Sequence, residues 1–196
     1  MTVYPGNHFQ LVINHPMDQY RKTPRASFLD YNVGDYFITI CTENKKHFFG
    51  EIHNEIMHLS HVGEFVRKQL ASAKDLCDYA EVKDHVVMPN HIHAIVKLCV
   101  DDPLVYDNAG CCQRAPNPFF RADQSGKRFV TLLSKYINSL KGAVTKYANS
   151  IGEEFGWQER YHDHFIREHG ERDRIAEYIA NNIANWNKDC FFQRKF

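Results

Sequence analysis

The sequence predicts an α+β domain on an antiparallel sheet of the split βαβ, or ferredoxin-like, kind, with helices packed on one face. Three observations carry this expectation. Periods of two and 3.6 alternate along the chain in the order β-α-β-β-α-β-α, a strand and helix followed by a hairpin, then another helix, strand and helix. Pro89-Asn90 separates two apolar runs so closely that they form a hairpin. The 196 residues, 43% of them hydrophobic, are enough to bury one core and fit a single domain better than two.

Residues 1–32 carry Pro5, Pro16 and Pro24 with Arg21, Lys22 and Arg25, and read as an irregular basic arm before a domain spanning 33–190. Tyr36 to Thr42, aromatic and β-branched behind Gly34-Asp35, predicts the first strand, and Phe48-Phe49 lead into a loop or hairpin. Val62, Phe65, Val66, Leu70, Ala73 and Leu76 keep helical spacing after Ser60, a suitable N-cap, with Glu64 close to the capping-box position. Strands follow at 79–88 and 91–99. Asp101-Asp102-Pro103, Gly110, Pro116, Pro118 and Gly126 mark a long loop over 101–127, where Cys111-Cys112 read as two ordinary thiols. Helical periodicity returns from Phe129 to Ile151 through Leu132, Leu133, Tyr136, Ile137, Leu140, Val144 and Tyr147, weakened slightly by Gly142. Trp157 to Ile166 predicts a short extended segment, and Glu171 to Trp186 a last helix.

Composition narrows the function. The 24 basic and 24 acidic residues cancel, so a nucleic-acid partner would have to be held by a local basic face. Six cysteines without CxxC spacing, and a start with no basic region followed by an apolar run, lead us to expect a reducing cytoplasm. No apolar stretch approaches the roughly 20 residues of a membrane span. No GxxxxGK[ST] loop is present, which agrees with a chemistry that needs no nucleotide cofactor.

The chemistry concentrates at His91-Ile92-His93. Residues two apart in a strand point the same way, so both imidazoles would face one ion. Twelve histidines give about 0.7 such pairs by chance, and His162 with His164 is a second. What distinguishes the first pair is its apolar setting, in which two imidazoles need partners. Tyr178 and Asn182 stand one helical turn apart on a common face. Laid over the histidines, that face would combine two imidazoles, an amide oxygen and a phenol, a set suited to metal-assisted phosphoryl transfer. His164 and Asp163 are candidates for an outer hydrogen-bond partner of the ligands or a phosphate contact. Lys135, Lys141, Lys146, Arg160 and Arg167, with Arg21, Lys22 and Arg25, are candidates for DNA binding. Trp157 and Trp186 are expected in the core. Two imidazoles alone leave zinc or nickel open as well as magnesium or manganese.

The run Val86-Val87-Met88-Pro89-Asn90-His91-Ile92-His93, then Trp157 to Arg167, then Tyr178-Ile179-Ala180-Asn181-Asn182, resembles the single-tyrosine HUH transposases, in particular the REP-associated branch. The Gly34 to Thr42 strand and the Phe48-Phe49-Gly50-Glu51 turn resemble it too, so the likeness covers most of residues 30–187 in order. It implies a fold of the HUH endonuclease type in which His91, His93 and Asn182 bind a divalent ion, Mg2+ or Mn2+, and Tyr178 is the nucleophile. It also implies cleavage and rejoining of single-stranded or hairpin DNA through a 5′-phosphotyrosine and a free 3′-hydroxyl, by a monomer or else a dimer. The family often has proline after the paired asparagines. Ile183 stands there here, which leads us to expect a longer helix. Two alternatives stay open: a domesticated relative that binds nucleic-acid hairpins without turnover, and a phosphohydrolase that uses water. Only the transposase chemistry requires Tyr178.

Overall fold

A four-stranded antiparallel sheet, with Ala80–Met88, His91–Leu98, Gly34–Cys41 and His162–Ile166 side by side in that order, is the frame that positions the site. The structure is a computed structural model, and it describes residues 33–99 and 131–192. The basic arm with Arg21, Lys22 and Arg25, and the 101–127 loop with Cys111 and Cys112, lie outside the described residues. β1 (Gly34–Cys41) pairs with β5 (His91–Leu98) and with β6 (His162–Ile166), and β4 (Ala80–Met88) closes the far edge against β5. Phe48-Phe49 do lead into a hairpin, β2 (Gly50–His53) and β3 (Ile56–Leu59), which forms its own two-stranded sheet.

Alternation along the central strands makes two cores. Tyr36, Ile38 and Ile40 of β1 and Ile92, Ala94 and Val96 of β5 point into one apolar cluster. Onto that face pack α1 (His61–Ala71), the short α2 (Ala73–Leu76) and α3 (Leu132–Ser150). Ser60 caps α1 as expected, its Oγ accepting from the Gly63 N–H at 3.0 Å. Position 63 requires glycine, because a Cβ there would stand 2.1 Å from the Phe49 carbonyl oxygen. α3 buries Leu133, Tyr136, Ile137, Leu140, Val144 and Ala148, the stripe its periodicity predicts.

α1 and α3 thus share a face, as expected, while α4 (His169–Asn181) takes the opposite one. There Ile175 and Ile179 pack with Cys41, Val86, Met88, Ile95 and Ile166. α4 also ends earlier than its periodicity suggests, even without a proline. Asn182 is its C-cap, Asn185 Nδ2 donates back to the Asn181 carbonyl at 3.0 Å, and a 3-10 turn follows at Trp186–Lys188. Burial then decides the path, since Trp186 and Phe191 are both 6% exposed and pack beside His91, aromatic burial that a continued helix would forgo. Trp157, half-buried against the first cluster, and Trp186 are both core side chains. Among the described residues, no helix is long and apolar enough to cross a membrane.

Candidate functional site

His91 and His93 project from β5 toward α4, opposite Cys41 and Thr39 of β1 in register, and are essentially fully buried. Their Nε2 atoms lie 3.1 Å apart. Each ring is fixed from behind. Asn90 Nδ2 donates to the carbonyls of Phe191 at 2.9 Å and Lys45 at 3.2 Å, so its amide cannot be turned around. Its Oδ1 therefore faces His91 Nδ1 at 2.9 Å as acceptor, His91 Nδ1 carries the proton, and His91 Nε2 presents a lone pair. His93 Nδ1 meets Thr39 Oγ1 at 2.8 Å, and Phe37 stacks on the His93 ring at 5.3 Å between centroids. When His93 also carries its proton on Nδ1 and donates to Thr39, both Nε2 lone pairs converge on one point.

Burial keeps these rings neutral. Desolvation pulls His93 down to about 3, and it pulls His91 well below the usual histidine range, with the neighbouring His93 and Lys45 adding to the effect. Two neutral imidazoles with converging lone pairs are metal ligands in waiting. Nitrogens about 2.1 Å from one ion and at right angles to each other would lie about 3.0 Å apart, close to the observed separation.

Tyr178 reaches the pair from α4, with its Oη 3.3 Å from His93 Nε2. Burial pushes the phenol up to about 12. The Asp189 carboxylate adds to the rise, and a hydrogen bond from the Asn182 side chain opposes it. Asn182 is buried, and its Oδ1 has no hydrogen-bond partner. An orphaned carboxamide oxygen one turn from Tyr178 is a second observation in favour of a cation there. Asp189 comes from beyond α4. Its Oδ2 is 3.7 Å from His91 Nε2, and its other oxygen accepts the Phe191 N–H at 2.7 Å. One ligand atom each from His91, His93 and Asp189 lie within 4.8 Å of one another. Buried imidazole nitrogens with a carboxylate and an orphaned amide oxygen fit a divalent ion.

The other sequence candidates fall further away. His164 shares the sheet face of the histidines, but its Nε2 meets Glu171 Oε1 on α4 at 2.8 Å. Asp163 stands opposite Ile38, so alternation sets it on the α1–α3 side. Lys141 is engaged structurally: its Nζ donates to the carbonyls of Gln158 at 2.7 Å and Glu159 at 3.3 Å. Lys135 and Lys146 are exposed eleven positions apart on α3, hence on one stripe, in the layer across the sheet from the histidines. Arg160 and Arg167 are exposed beside β6. Asn90 and Asp189 escaped the sequence reading. Asn90 read only as a turn residue, and nothing in the spacing links Asp189 to histidines almost a hundred positions earlier.

The fold is that of a transposase. The solved structure of a REP-associated tyrosine transposase bound to a REP hairpin matches 87% of this chain and 74% of that one, with a TM-score of 0.50 and 17% identity. The chain belongs to one family with an uncharacterized protein of Haemophilus influenzae, 30% identical over 176 residues that span 88% of this chain and 93% of that protein. No protein-family model matches the sequence.

Proposed function

We propose that this protein is a metal-dependent tyrosine transposase that cleaves and rejoins single-stranded or hairpin DNA through a 5′-phosphotyrosine on Tyr178, with the cytoplasm as its expected compartment. The observation that carries this reading is the phenol oxygen 3.3 Å from a buried pair of neutral histidines whose Nε2 atoms lie 3.1 Å apart. A divalent ion, Mg2+ or Mn2+, held by His91 and His93 with Asn182 or Asp189, would polarise a phosphate oxygen and ease loss of the phenol proton. The protein's own groups do the rest. Thr39 and Asn90 hold the two rings from behind, and Phe37 and Phe191 pack on them and keep water from their faces.

Tyr178 Oη attacks the phosphorus as its proton leaves. A P–O bond to tyrosine forms, the P–O3′ bond breaks, and the departing oxygen gains a proton to become a 3′-hydroxyl. One phosphodiester replaces another, so the bond energy is kept and the reverse attack by a 3′-hydroxyl needs no nucleotide cofactor. Arg160 and Arg167 beside β6, and Lys135 and Lys146 on the far side of the sheet, are exposed and are the candidates for phosphate contacts. The REP hairpin in the solved transposase structure makes a structured single strand the first substrate to try. The test incubates the protein with Mn2+ and labelled hairpin oligonucleotides, then denatures it and looks for labelled protein. A covalent band from the parent that is missing in Tyr178→Phe supports the reading. Hairpins that bind tightly but never form a band would favour a binding protein without turnover.

A further inference from the structure

The proposed nucleophile and the histidine pair sit on different elements, so their separation depends on how α4 is held against the sheet. α4 has few apolar anchors. Ile175 and Ile179 are its buried hydrophobic side chains among those described, with Ala176 and Tyr178 packed partly against the same cluster. No side chain caps its start at Glu168. Two isoleucines one turn apart fix a line of contact and leave the roll about that line to be set by other contacts.

Polar ties supply the missing constraint. Arg172, one turn before Ile175, donates from Nη2 to Asp84 Oδ2 at 3.0 Å, and its Nε lies 3.9 Å from Asp35 Oδ2. Asp84 is on β4 and Asp35 on β1, the two strands that flank β5. Asp84 stands opposite Ile95 of β5, and Asp35 opposite Lys97. The guanidinium therefore straddles the strand that carries His91 and His93, and refers α4 to both of its neighbours. Asp173, 4.0 Å from Nη1, is mostly exposed and adds little. A second tie holds the first turn to β6: Glu171 Oε1 lies 2.8 Å from His164 Nε2, and its Oε2 accepts the Arg167 N–H at 3.0 Å.

A β-bulge explains why Asp84 is available. Val82 pairs with Val96 but Asp84 with Ile95, which leaves Lys83 as an extra residue. Before the bulge, Ala80 and Val82 point toward the α1–α3 cluster; after it, Val86 and Met88 point toward α4. Strict alternation would have sent Asp84 to the face of Val82, away from α4. The inserted residue exchanges the two faces and brings the carboxylate under Arg172.

We infer that Arg172 is a positioning residue: seated across β5 between Asp84 and Asp35, it sets the roll and axial position of α4 that keep Tyr178 Oη beside His93. About a third of each of these side chains is exposed, 31% for Arg172, 36% for Asp84 and 28% for Asp35. At that exposure the pairs add little to global stability, so their effect is on where the helix sits. The functional consequence rests on the proposed role of Tyr178; the structural one does not.

The experiment places 3-fluorotyrosine at position 178 in the full chain and records 19F NMR spectra without metal. The parent is expected to give one resonance displaced from free fluorotyrosine by the surrounding rings of His93 and Phe37. In Arg172→Ala that resonance should move toward the free value or split, with the urea midpoint little changed. Arg172→Lys, which keeps the charge but not the two-pronged reach, should do so to a smaller extent and covers the case in which the alanine variant folds poorly. On hairpin DNA, kcat for adduct formation should fall about twofold to tenfold with KM unchanged, the most that two partly exposed ion pairs can bias the helix position, and Arg172→Asp combined with Asp84→Arg should recover part of it. An unmoved resonance in both single variants would overturn the inference, as would a loss that appears only in KM. A moving resonance in a protein whose parent forms no adduct would support the positioning and count against the proposed chemistry.

Discussion

Replacing Asn90 should separate two properties that one side chain joins. Asn90 is fully buried, accepts from His91 Nδ1, and donates to the carbonyls of Lys45 and Phe191. Asn90→Ala leaves two buried polar groups, His91 Nδ1 and the Phe191 carbonyl, and the part-buried Lys45 carbonyl without partners. Each costs about 1–3 kcal/mol when nothing replaces the bond, so a loss of about 3–5 kcal/mol is expected once entering water offsets part of it. Most domains have about 5–15 kcal/mol in hand, so the variant should still fold in the cold. Its Mn2+ affinity should drop about 10–100-fold, because His91 no longer has the partner that fixes its tautomer and ring angle. Asn90→Asp keeps the acceptor and loses both donors. Its ion affinity should stay within about tenfold of the parent, while the segment around Phe191 loosens, since a carboxylate would face two carbonyl oxygens. Calorimetric Mn2+ titration measures the first effect, and hydrogen exchange at residues 186–192 the second. A folded Asn90→Ala variant that binds Mn2+ as tightly as the parent would refute the assignment of Asn90 as the group that orients His91.

Acid should destabilise the metal-free protein in a defined window. His93 is held down to about 3 when folded against about 6.5 when unfolded, and burial lowers His91 as well, so the unfolded state takes up both protons first and each histidine contributes a fall of about 1.4 kcal/mol per pH unit below about pH 6.5; urea midpoints of the EDTA-treated protein should decline over that range, and about half as steeply in His93→Gln. Ile179→Ala empties a site that is 3% exposed under α4 and should lower unfolding free energy by about 2–5 kcal/mol in the same assay, whereas a loss under about 1 kcal/mol would mean that α4 is not packed as described. If the exposed stripe of α3 touches DNA, Lys135→Ala with Lys146→Ala should reduce the slope of log affinity against log salt by about 1.8 for a duplex stem, and an unchanged slope would place the hairpin elsewhere.

Local rules made much of the fold legible. Alternation gave β1 and β5, the Pro89-Asn90 turn gave the hairpin that presents the histidines, and Ser60 marked the start of α1. The pairing of His91 with His93 followed from period two alone, and Tyr178 with Asn182 from one helical turn. What stayed hidden depends on tertiary contacts. The bulge at Lys83 leaves no mark in a run of mixed polarity, yet it decides which face Asp84 occupies. The end of α4 follows from burial of Trp186 and Phe191 beside His91, which helical periodicity cannot express. Asp189 reaches the histidines only because of that turn, although a cluster of asparagines followed by aromatic residues after Tyr178 was a signal that the helix would stop.

The central claim is that Tyr178 becomes joined to DNA. After reaction with Mn2+ and a hairpin oligonucleotide, nuclease and protease digestion followed by mass spectrometry should find a nucleotide phosphate on the peptide that carries Tyr178, attached at that residue and missing from Tyr178→Phe. Cleaved DNA with a 5′-phosphate and no modified peptide would mean that water, not the phenol, attacks, and would contradict the account.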